Sequence, residues 1–327
     1  MPPRSVPWPT SDDLARAREA VSAHLPPSPL VRSTVGGQDV MLKLETLQPT
    51  GAFKVRGALA AMARIPAGSK VLAASAGNHA LGIAWAASQT GTAATVIVAE
   101  TASAAKQRKL ATFPIELVRH GETYDEAEAY AVELAGHLPD GTVFISPYND
   151  PHVIAGQGTV LDEIVMQAAP STALTVYVPI GGGGLLAGVA LRAAELRQEG
   201  HDIRLVGVEA AASPAVSSTI AAGGTTTIEV GDTVADGLAG NIEPGSITAP
   251  IIAEHVDRIV QVSERDIRHA MRALLFAAGV LAEGSGAASV AAAIAAQRNQ
   301  HEDRLTVAIV SGRNVTRDVL IGVLADE

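Results

Sequence analysis

The sequence predicts an α/β protein built mainly on parallel β-sheets. Short runs rich in β-branched residues alternate with longer alanine-rich stretches, the order that places helices on the faces of a parallel sheet. The 327 residues suffice for about two domains, and only 3% of them are aromatic. We therefore expect a core made mainly of Ala, Val, Leu and Ile.

Eight runs are predicted to be β-strands, and nine stretches are predicted to be helices. The strands span residues 70–74, 94–98, 115–118, 142–145, 174–179, 203–209, 258–262 and 305–310. The helices span residues 12–23, 52–65, 78–90, 104–111, 122–137, 154–168, 185–199, 264–278 and 285–298. Gly91 is expected to end the third helix in the left-handed conformation, and Ser263 with Asp266 predicts a capping box before the eighth. The stretch 221–250 has no clear periodicity, which indicates a loop near a ligand, a subunit contact or plain surface.

Composition narrows the kinds of partner. The formal net charge is -10 and no basic run occurs, so we expect no nucleic-acid partner, which would need clustered Lys and Arg. The absence of Cys excludes disulfides and thiolate chemistry but leaves the redox compartment open. Neither a secretory leader nor an uninterrupted apolar stretch of about 18 residues is found, so we expect a cytoplasmic protein without a membrane partner.

The first motif that could carry chemistry surrounds Lys54. The segment Leu47-Gln-Pro-Thr-Gly-Ala-Phe-Lys-Val-Arg-Gly57 is broken by Pro and Gly just before a predicted helix, which places Lys54 in the first helical turn. The helix dipole disfavours a cation there, so an unmodified Lys gains nothing from this position. Lysine amines do form Schiff bases with pyridoxal 5′-phosphate (PLP). A solvated surface lysine is the simpler interpretation of this motif taken alone.

The second motif, Ala74-Ser-Ala-Gly-Asn-His79, follows a predicted strand and opens a predicted helix. Ligands of doubly wound sheets bind at this end of the strands. Ser75 and the amides after it could hold a carboxylate, and Asn78 could donate to a ring hydroxyl or phenolate. The alternative is an ordinary helix N-cap formed by Ser75 or Asn78.

The third motif is a run of four glycines between a predicted strand and a predicted helix. These residues are Gly181, Gly182, Gly183 and Gly184. Four consecutive glycines lose more backbone entropy on folding than the residues of an ordinary turn would. Amides that surround a phosphate need this composition, because side chains would block their approach to it. No Gly-Lys-Ser/Thr follows, and the acid of a dinucleotide site about 20 residues on is missing. The loop therefore predicts a site for a lone phosphate monoester.

Two weaker motifs lie further along the chain. They are Glu283-Gly-Ser-Gly-Ala287 and Val310-Ser-Gly-Arg-Asn314. Ser311 directly follows the last predicted strand and could face a heterocyclic nitrogen as a neutral partner. A capping role for either Ser is the alternative.

Together these motifs resemble the fold-type II PLP enzymes, whose fold is similar to that of tryptophan synthase β. The resemblance is strongest to the threonine/serine dehydratase and serine racemase family. The lysine motif, the Ser-x-Gly-Asn-His loop, the tetraglycine loop and the Ser-Gly-x-Asn motif follow the family's order, over residues 30–315. The resemblance implies two parallel-sheet α/β domains with the active site in the cleft between them. The large PLP-binding domain would comprise residues 1–69 and 149–327, and the small domain residues 70–148.

The resemblance also implies a role for each motif residue. Lys54 would carry PLP as a Schiff base, Asn78 would bond the ring oxygen, and Ser311 would meet the pyridine nitrogen. The implied catalytic residues are Lys54 and Ser75. The implied cofactor-binding residues are Phe53, Lys54, Asn78, Gly181, Gly182, Gly183, Gly184, Leu185, Glu283 and Ser311. The implied residues of the substrate-carboxylate site are Ser75, Ala76, Gly77, Asn78 and His79.

The implied activity is that of a dehydratase, or ammonia-lyase. It would convert a small β-hydroxy amino acid such as L-threonine or L-serine to a 2-oxo acid and ammonia, and the chain would be a homodimer. Racemases of the family carry a second Ser where this chain has Ala76, which has no exchangeable proton. A racemase, a β-replacement synthase, and a dehydratase of hydroxyaspartate or hydroxyectoine catabolism stay open as alternatives. So does a non-catalytic protein that binds a phosphate ligand, although such a protein would not need Lys54.

The family's cation site would begin at Glu209. The Asp expected six residues later is Ala215, so a divalent ion would lack one carboxylate. The sequence therefore argues against Mg²⁺ or Ca²⁺ dependence and leaves a weak cation site open.

Overall fold

The structure is a computed structural model that describes residues 4–137, 141–169, 171–297 and 303–325. Its strands are β1 (Leu30–Val35), β2 (Gln38–Leu44), β3 (Lys70–Ala74), β4 (Ala93–Val98), β5 (Glu116–Arg119), β6 (Thr142–Phe144), β7 (Leu174–Pro179), β8 (Ile203–Ala210), β9 (Arg258–Val262) and β10 (Leu305–Val310). Its helices are α1 (Ser11–Ser22), α2 (Lys54–Met62), α3 (Asn78–Thr90), α4 (Ala104–Leu110), α5 (Tyr124–His137), α6 (Pro151–Gln167), α7 (Gly184–Gln198), α8 (Ala215–Ala222), α9 (Thr248–His255), α10 (Glu264–Ala278), α11 (Gly284–Gln297) and α12 (Arg317–Ala325). Short 3-10 turns span Glu45–Leu47 and Asp236–Leu238.

The strands form two sheets. The smaller sheet has the order β5-β4-β3-β6, and all of its pairs are parallel. The larger sheet has the order β1-β2-β10-β7-β8-β9, and only the β1–β2 pair is antiparallel. Every residue of β7 is buried, as expected for a central parallel strand covered on both faces. The predicted α/β class with two parallel sheets is confirmed.

The membership of the sheets supports the proposed domain division. The smaller sheet takes its strands from residues 70–144, whereas the larger sheet takes strands from both sides of that stretch. The division into residues 1–69 with 149–327 and residues 70–148 stays a proposal. The buried clusters on both sheets consist almost entirely of aliphatic side chains, as the low aromatic content predicts.

All eight predicted strands and nine predicted helices are present among the described residues, with ends that shift by up to three residues. The predicted helix end at Arg298 lies outside the described residues. Gly91 adopts a φ of 71° at the end of α3, and the capping box before α10 is present, which confirms both local predictions. The hairpin of β1 and β2 and the helices α8, α9 and α12 were not predicted from the sequence.

The stretch 221–250 is largely irregular, apart from the end of α8, one 3-10 turn and the start of α9. Among the described residues, no helix has both the length and the apolar character needed to cross a membrane.

Candidate active site

A cavity of about 1730 Å³ lies where β3, β7 and β10 end. Parallel strands present their carboxyl ends, and the loops that follow, to ligands at such a position. The predicted residues that line it are Phe53, Lys54, Ser75, Ala76, Gly77, Asn78, His79, Gly181, Gly182, Gly183, Gly184, Leu185, Glu283 and Ser311. The structure thus brings every predicted site residue except Glu209 to one cavity.

Lys54 is the first residue of α2, and its side chain is half-buried in the wall of the cavity. Its Nζ donates a hydrogen bond to the carbonyl oxygen of Pro147 at 2.7 Å. Burial lowers the pKa of Lys54 to about 8, and the nearby carboxylate of Glu283 opposes this shift only in part. Far more of the amine is therefore neutral near neutral pH than in an ordinary lysine, and the neutral amine is the form that can attack a carbonyl group.

A buried ion-pair network fixes the helix that carries Lys54. Arg56 is fully buried, and its guanidinium donates to the carboxylate of Glu45 at 2.8 Å and to that of Glu163 at 2.7 Å. The Nζ of Lys43 donates to Glu163 at 2.7 Å. Arg56 belongs to the lysine motif, but its role was not predicted from the sequence. The available signal was a charged residue in an otherwise apolar stretch, since buried charges need partners.

Backbone hydrogen bonds join the lysine motif to the last motif of the chain. The amide of Phe53 donates to the carbonyl oxygen of Ser311 at 3.0 Å, and the amide of Arg313 donates to that of Gly51 at 2.9 Å. The hydroxyl of Ser311 lies 3.4 Å from the carbonyl oxygen of Ser285, a long hydrogen bond that leaves this donor free to turn. The two motifs therefore form one rigid edge of the cavity.

The loop before α3 leaves the first turn of that helix without a side-chain cap. Gly77 is the N-cap residue, and no side chain accepts from the first helical amides. The hydroxyl of Ser75 instead accepts from the amide of Gly77 at 3.1 Å. The alternative interpretation of Ser75 or Asn78 as an N-cap is wrong. The helix start is left able to bind an anion, because its amides point along a positive dipole end.

Asn78 joins two residues from the far end of the chain. Its Nδ2 donates to Glu283 Oε1 at 2.7 Å, and its Oδ1 accepts from Asn314 Nδ2 at 2.6 Å. The amide of Asn314 donates to Glu283 Oε2 at 2.8 Å. Burial raises the pKa of Glu283 to about 7, and the charge of Asp236 adds to that rise. Asn314 also lines the cavity, and sequence reasoning missed it as a site residue although the motif ends on it.

His79 is buried beside Lys54 as a neutral imidazole. Its Nε2 lies 3.0 Å from the carbonyl oxygen of Ile145, which fixes the proton on that nitrogen. Burial, assisted by the positive charge of Lys54, lowers the pKa of His79 to about 3. The ring therefore adds no charge to the cavity at neutral pH.

Close packing of neighbouring residues, as well as access for a ligand, excludes side chains from the glycine loop. A Cβ on Gly182 would lie 2.4 Å from Cγ of Tyr148, and a Cβ on Gly181 would lie 2.6 Å from the carbonyl oxygen of Gly237. Gly183 has a φ of 84°, which favours glycine, and begins α7 without a side-chain cap. From the sequence, phosphate binding was the only reason expected for the missing side chains. The structure shows that close neighbours also exclude them.

Another wall of the cavity carries polar residues that sequence reasoning did not select. The hydroxyl of Tyr124 donates to Glu128 at 2.9 Å, and that of Tyr148 accepts from the amide of Glu243 at 2.8 Å. Arg4 donates to the carboxylate of Glu243 at 2.6 Å. Glu243 belongs to the stretch 221–250, so part of that stretch is a cavity wall. They were not predicted as site residues, because they meet only in the fold.

Glu209 lies outside the cavity, at the end of β8. Its Oε1 accepts from the amides of Val216 at 2.8 Å and Ser217 at 3.2 Å, so the carboxylate caps the start of α8. Within the part of the chain that the structure describes, no group of three or more His, Cys, Asp or Glu could hold a metal ion. A weak cation site at Glu209 stays a prediction.

The groups around the cavity fit PLP. Lys54 offers a partly neutral amine for the aldehyde, and the loop at Gly183 offers backbone amides that no side chain covers. Asn78 uses one N–H of its amide on Glu283, so the other can donate to a ring oxygen. Ser311 offers a neutral hydroxyl for the pyridine nitrogen. The fold and the site thus define a PLP-binding α/β protein.

Comparison with known proteins identifies the family. The chain matches the family of pyridoxal-phosphate dependent enzymes over residues 21–312, and it belongs to that family. It is 37% identical over 288 residues to an L-threonine ammonia-lyase of Thermotoga maritima, covering 87% of this chain and 69% of the relative. The structure is similar to that of maize serine racemase, with a TM-score of 0.86, 29% identity and coverage of 97% of both chains. It is also similar to the threonine deaminase of T.th., with a TM-score of 0.83, 32% identity and coverage of 94% of this chain and 99% of the other. The predicted family, fold and cofactor are confirmed.

Proposed function

We propose that the chain is a PLP-dependent ammonia-lyase that converts a small β-hydroxy amino acid, such as L-threonine or L-serine, to a 2-oxo acid and ammonia. The observation that carries the proposal is the partly neutral amine of Lys54, which shares one cavity with the Ser75 loop and the four glycines. The similarity to the L-threonine ammonia-lyase of Thermotoga maritima supports the proposed reaction and substrate class. A homodimer is proposed on the family resemblance alone, and the cytoplasmic location expected from the sequence stays a proposal.

Lys54 is proposed to hold the cofactor and to move the α-proton of the substrate. Bound PLP supplies an electron sink that stabilises negative charge at the substrate Cα. An amine with a pKa of about 8 takes up and releases a proton readily near neutral pH, as a general base requires. The carbonyl oxygen of Pro147, which accepts from Lys54 Nζ, holds the side chain at the cavity wall.

The remaining residues are proposed to bind and orient. Ser75 and the uncapped start of α3 would hold the substrate carboxylate. The hydroxyl and the free amides there are hydrogen-bond donors, and they lie at the positive end of the helix dipole, which attracts an anion. The glycine loop would hold the cofactor phosphate, and Asn78 and Ser311 would contact its ring. Ser311 is a neutral partner, so it would not keep the ring nitrogen protonated as a carboxylate would. This favours elimination of the β-hydroxyl over processes that need a long-lived negative charge at Cα.

Ala76 argues against racemisation, since its methyl group can neither give nor take a proton. It packs against the apolar cluster on the smaller sheet. Similarity to maize serine racemase is a similarity of fold and does not replace the missing hydroxyl.

The test is a panel of L- and D-β-hydroxy amino acids with detection of oxo acid, performed in deuterated water. Wild-type protein with PLP is expected to be yellow, to be fixed to the cofactor at Lys54 by borohydride, and to form oxo acid. Lys54→Ala should abolish fixation and lower kcat by at least about 10²- to 10⁴-fold, the usual contribution of a proton-transferring side chain. The matched control is Lys70→Ala, whose ammonium pairs with Glu116 on the surface and should change neither property.

A colourless protein that borohydride does not fix to PLP would refute the proposal. Deuterium at Cα of the opposite enantiomer, without oxo acid, would show a racemase. Full biological activity of Lys54→Ala would instead indicate a non-catalytic phosphate-ligand binding protein.

A further inference from the structure

The side-chain amide of Asn78 lies in a set of hydrogen bonds whose direction is fixed throughout. The ammonium of Lys109 donates to Asn314 Oδ1 at 2.6 Å. Asn314 Nδ2 has two hydrogens and uses both, one on Asn78 Oδ1 at 2.6 Å and one on the carbonyl oxygen of Thr50 at 2.9 Å. Asn78 Nδ2 then donates to Glu283 at 2.7 Å. The ammonium of Lys109 can only donate, so it fixes the orientation of the Asn314 amide, and Asn314 in turn fixes that of the Asn78 amide.

The polarity leaves Asn78 one orientation. A flip of its amide would place the nitrogen against the donor of Asn314 and the oxygen against the carboxylate of Glu283. Both contacts would be repulsive, because the first would set two donors against each other and the second two oxygen acceptors. In the observed orientation one of the two N–H groups of Asn78 is used and one is left for a ligand in the cavity.

We propose that Glu283 and Asn314 are positioning residues that fix the amide of Asn78 so that its remaining N–H donates to the ring oxygen of the bound cofactor. This inference rests on the proposed function. It changes the expected role of Glu283, which acts through Asn78 and not by direct contact with the cofactor. It also adds Asn314 to the site.

The two oxygens of Glu283 explain why a carboxylate is needed at this position. Oε1 accepts from Asn78 Nδ2, and Oε2 accepts from the amide of Asn314. Glu283→Gln provides one acceptor, so its amino group must face one of these two donors. Asn314→Asp removes the donor that faces Asn78 Oδ1 and the carbonyl oxygen of Thr50. Each variant keeps the size of the side chain and disrupts the fixed direction of the set.

The experiment measures cofactor binding and the pH dependence of the visible spectrum of the bound cofactor. Holoenzyme is stripped of PLP and titrated back. Glu283→Gln and Asn314→Asp are each expected to weaken PLP binding about 5- to 100-fold, because a buried group loses its partner. The pH midpoint of the spectrum should rise by about 1 unit, because a donor to an anionic oxygen lowers the pKa of that oxygen and its loss raises it.

A double-variant cycle separates positioning from general stability. Asn78→Ala should reproduce both changes, and adding Glu283→Gln to it should weaken binding no further, because Glu283 acts through Asn78. Glu243→Gln is the matched control, since Glu243 is a second carboxylate of the cavity wall and contacts Arg4 instead of Asn78. It should leave the pH midpoint unchanged. Thermal unfolding of the stripped proteins tests whether each variant is folded. If one is not, Asn314→Ala is used in its place.

Weaker binding with an unchanged pH midpoint, or losses that add up in the double variant, would overturn the positioning role. Failure of the wild-type protein to bind PLP at all would overturn the proposed function as well. The two failures can be told apart, because the first is seen in the variants and the second in the wild-type protein.

Discussion

The buried ion-pair network under the lysine helix gives a quantitative prediction. Arg56 has no exposed surface and makes hydrogen bonds of 2.7–2.8 Å to the carboxylates of Glu45 and Glu163. Glu45 is likewise fully buried, and Glu163 is nearly so. Replacing Arg56 by Leu keeps much of the apolar stem and removes the charge. The cation left beside the two carboxylates would then be Lys43, which forms its ion pair with Glu163.

Breaking such a pair from one side costs about 3–5 kcal/mol, because the remaining charge is left without compensation. Arg56→Leu should therefore lower the unfolding temperature by roughly 6–20 °C, using about 2–4 °C for each kcal/mol in a large domain. The matched control is Arg16→Leu, which removes an exposed pair with Asp12 on α1. Solvent screens such exposed pairs, so they contribute little to stability and this variant should unfold almost as the wild type does.

Thermal unfolding followed by circular dichroism, with the stripped protein and with PLP, measures both variants. Cofactor binding at low temperature should remain in Arg56→Leu, because Lys54 and the glycine loop are untouched. An unfolding temperature within about 2 °C of wild type, equivalent to roughly 1 kcal/mol or less, would refute the reasoning about uncompensated buried charge.

Three further predictions concern the cavity. The rate at which stripped enzyme takes up PLP should rise with pH around a midpoint near pH 8 and level off only at higher pH, because a pKa of about 8 leaves half of the Lys54 amines neutral at that midpoint. Stopped-flow absorbance measures the rate, and a midpoint near 10.5 would contradict the prediction. The folded-state pKa of His79, about 3, lies below its ordinary 6.5, so the native state binds fewer protons between these values and stability falls as pH drops through that window. The free energy of unfolding should be about 2 kcal/mol lower near pH 5 than at neutral pH. Urea unfolding measures it, and the His79→Gln variant should lack this dependence of stability on pH. Gly182→Ala should weaken PLP binding at least tenfold, because its methyl group would displace the tyrosine ring packed on the loop, whereas Gly322→Ala, with open space around it, should not change binding in the same titration.

Local signals in the sequence predicted much of the secondary structure. The left-handed Gly91 and the capping box at Ser263 involve atoms a few residues apart, so their hydrogen bonds do not depend on the rest of the fold. One such signal was overlooked. Gly36 and Gly37 have φ values of 57° and 77° in the turn between β1 and β2, and a pair of glycines between two short strands is a known hairpin signal.

Other elements depend on distant partners. Helix α8 begins where the carboxylate of Glu209, at the end of the preceding strand, accepts from its first amides. Helix α9 contains a proline, and its first residue, Thr248, donates to the carbonyl oxygen of Gly182 in the glycine loop. Their sequences have no strong periodicity, since tertiary contacts and not an amphipathic pattern fix where they form.

The sequence by itself determined which chemical groups this protein brings to its site and the order of the motifs that carry them. Only the tertiary structure decided which groups meet: Asn78 with Glu283, 205 residues away, and with Asn314, 236 residues away. Arg56 likewise meets Glu163 across 107 residues. Local spacing specifies helices, strands and turns through short-range hydrogen bonds. The partners of a buried charge or amide are set by how those elements pack, and packing brings together residues that no spacing along the chain connects.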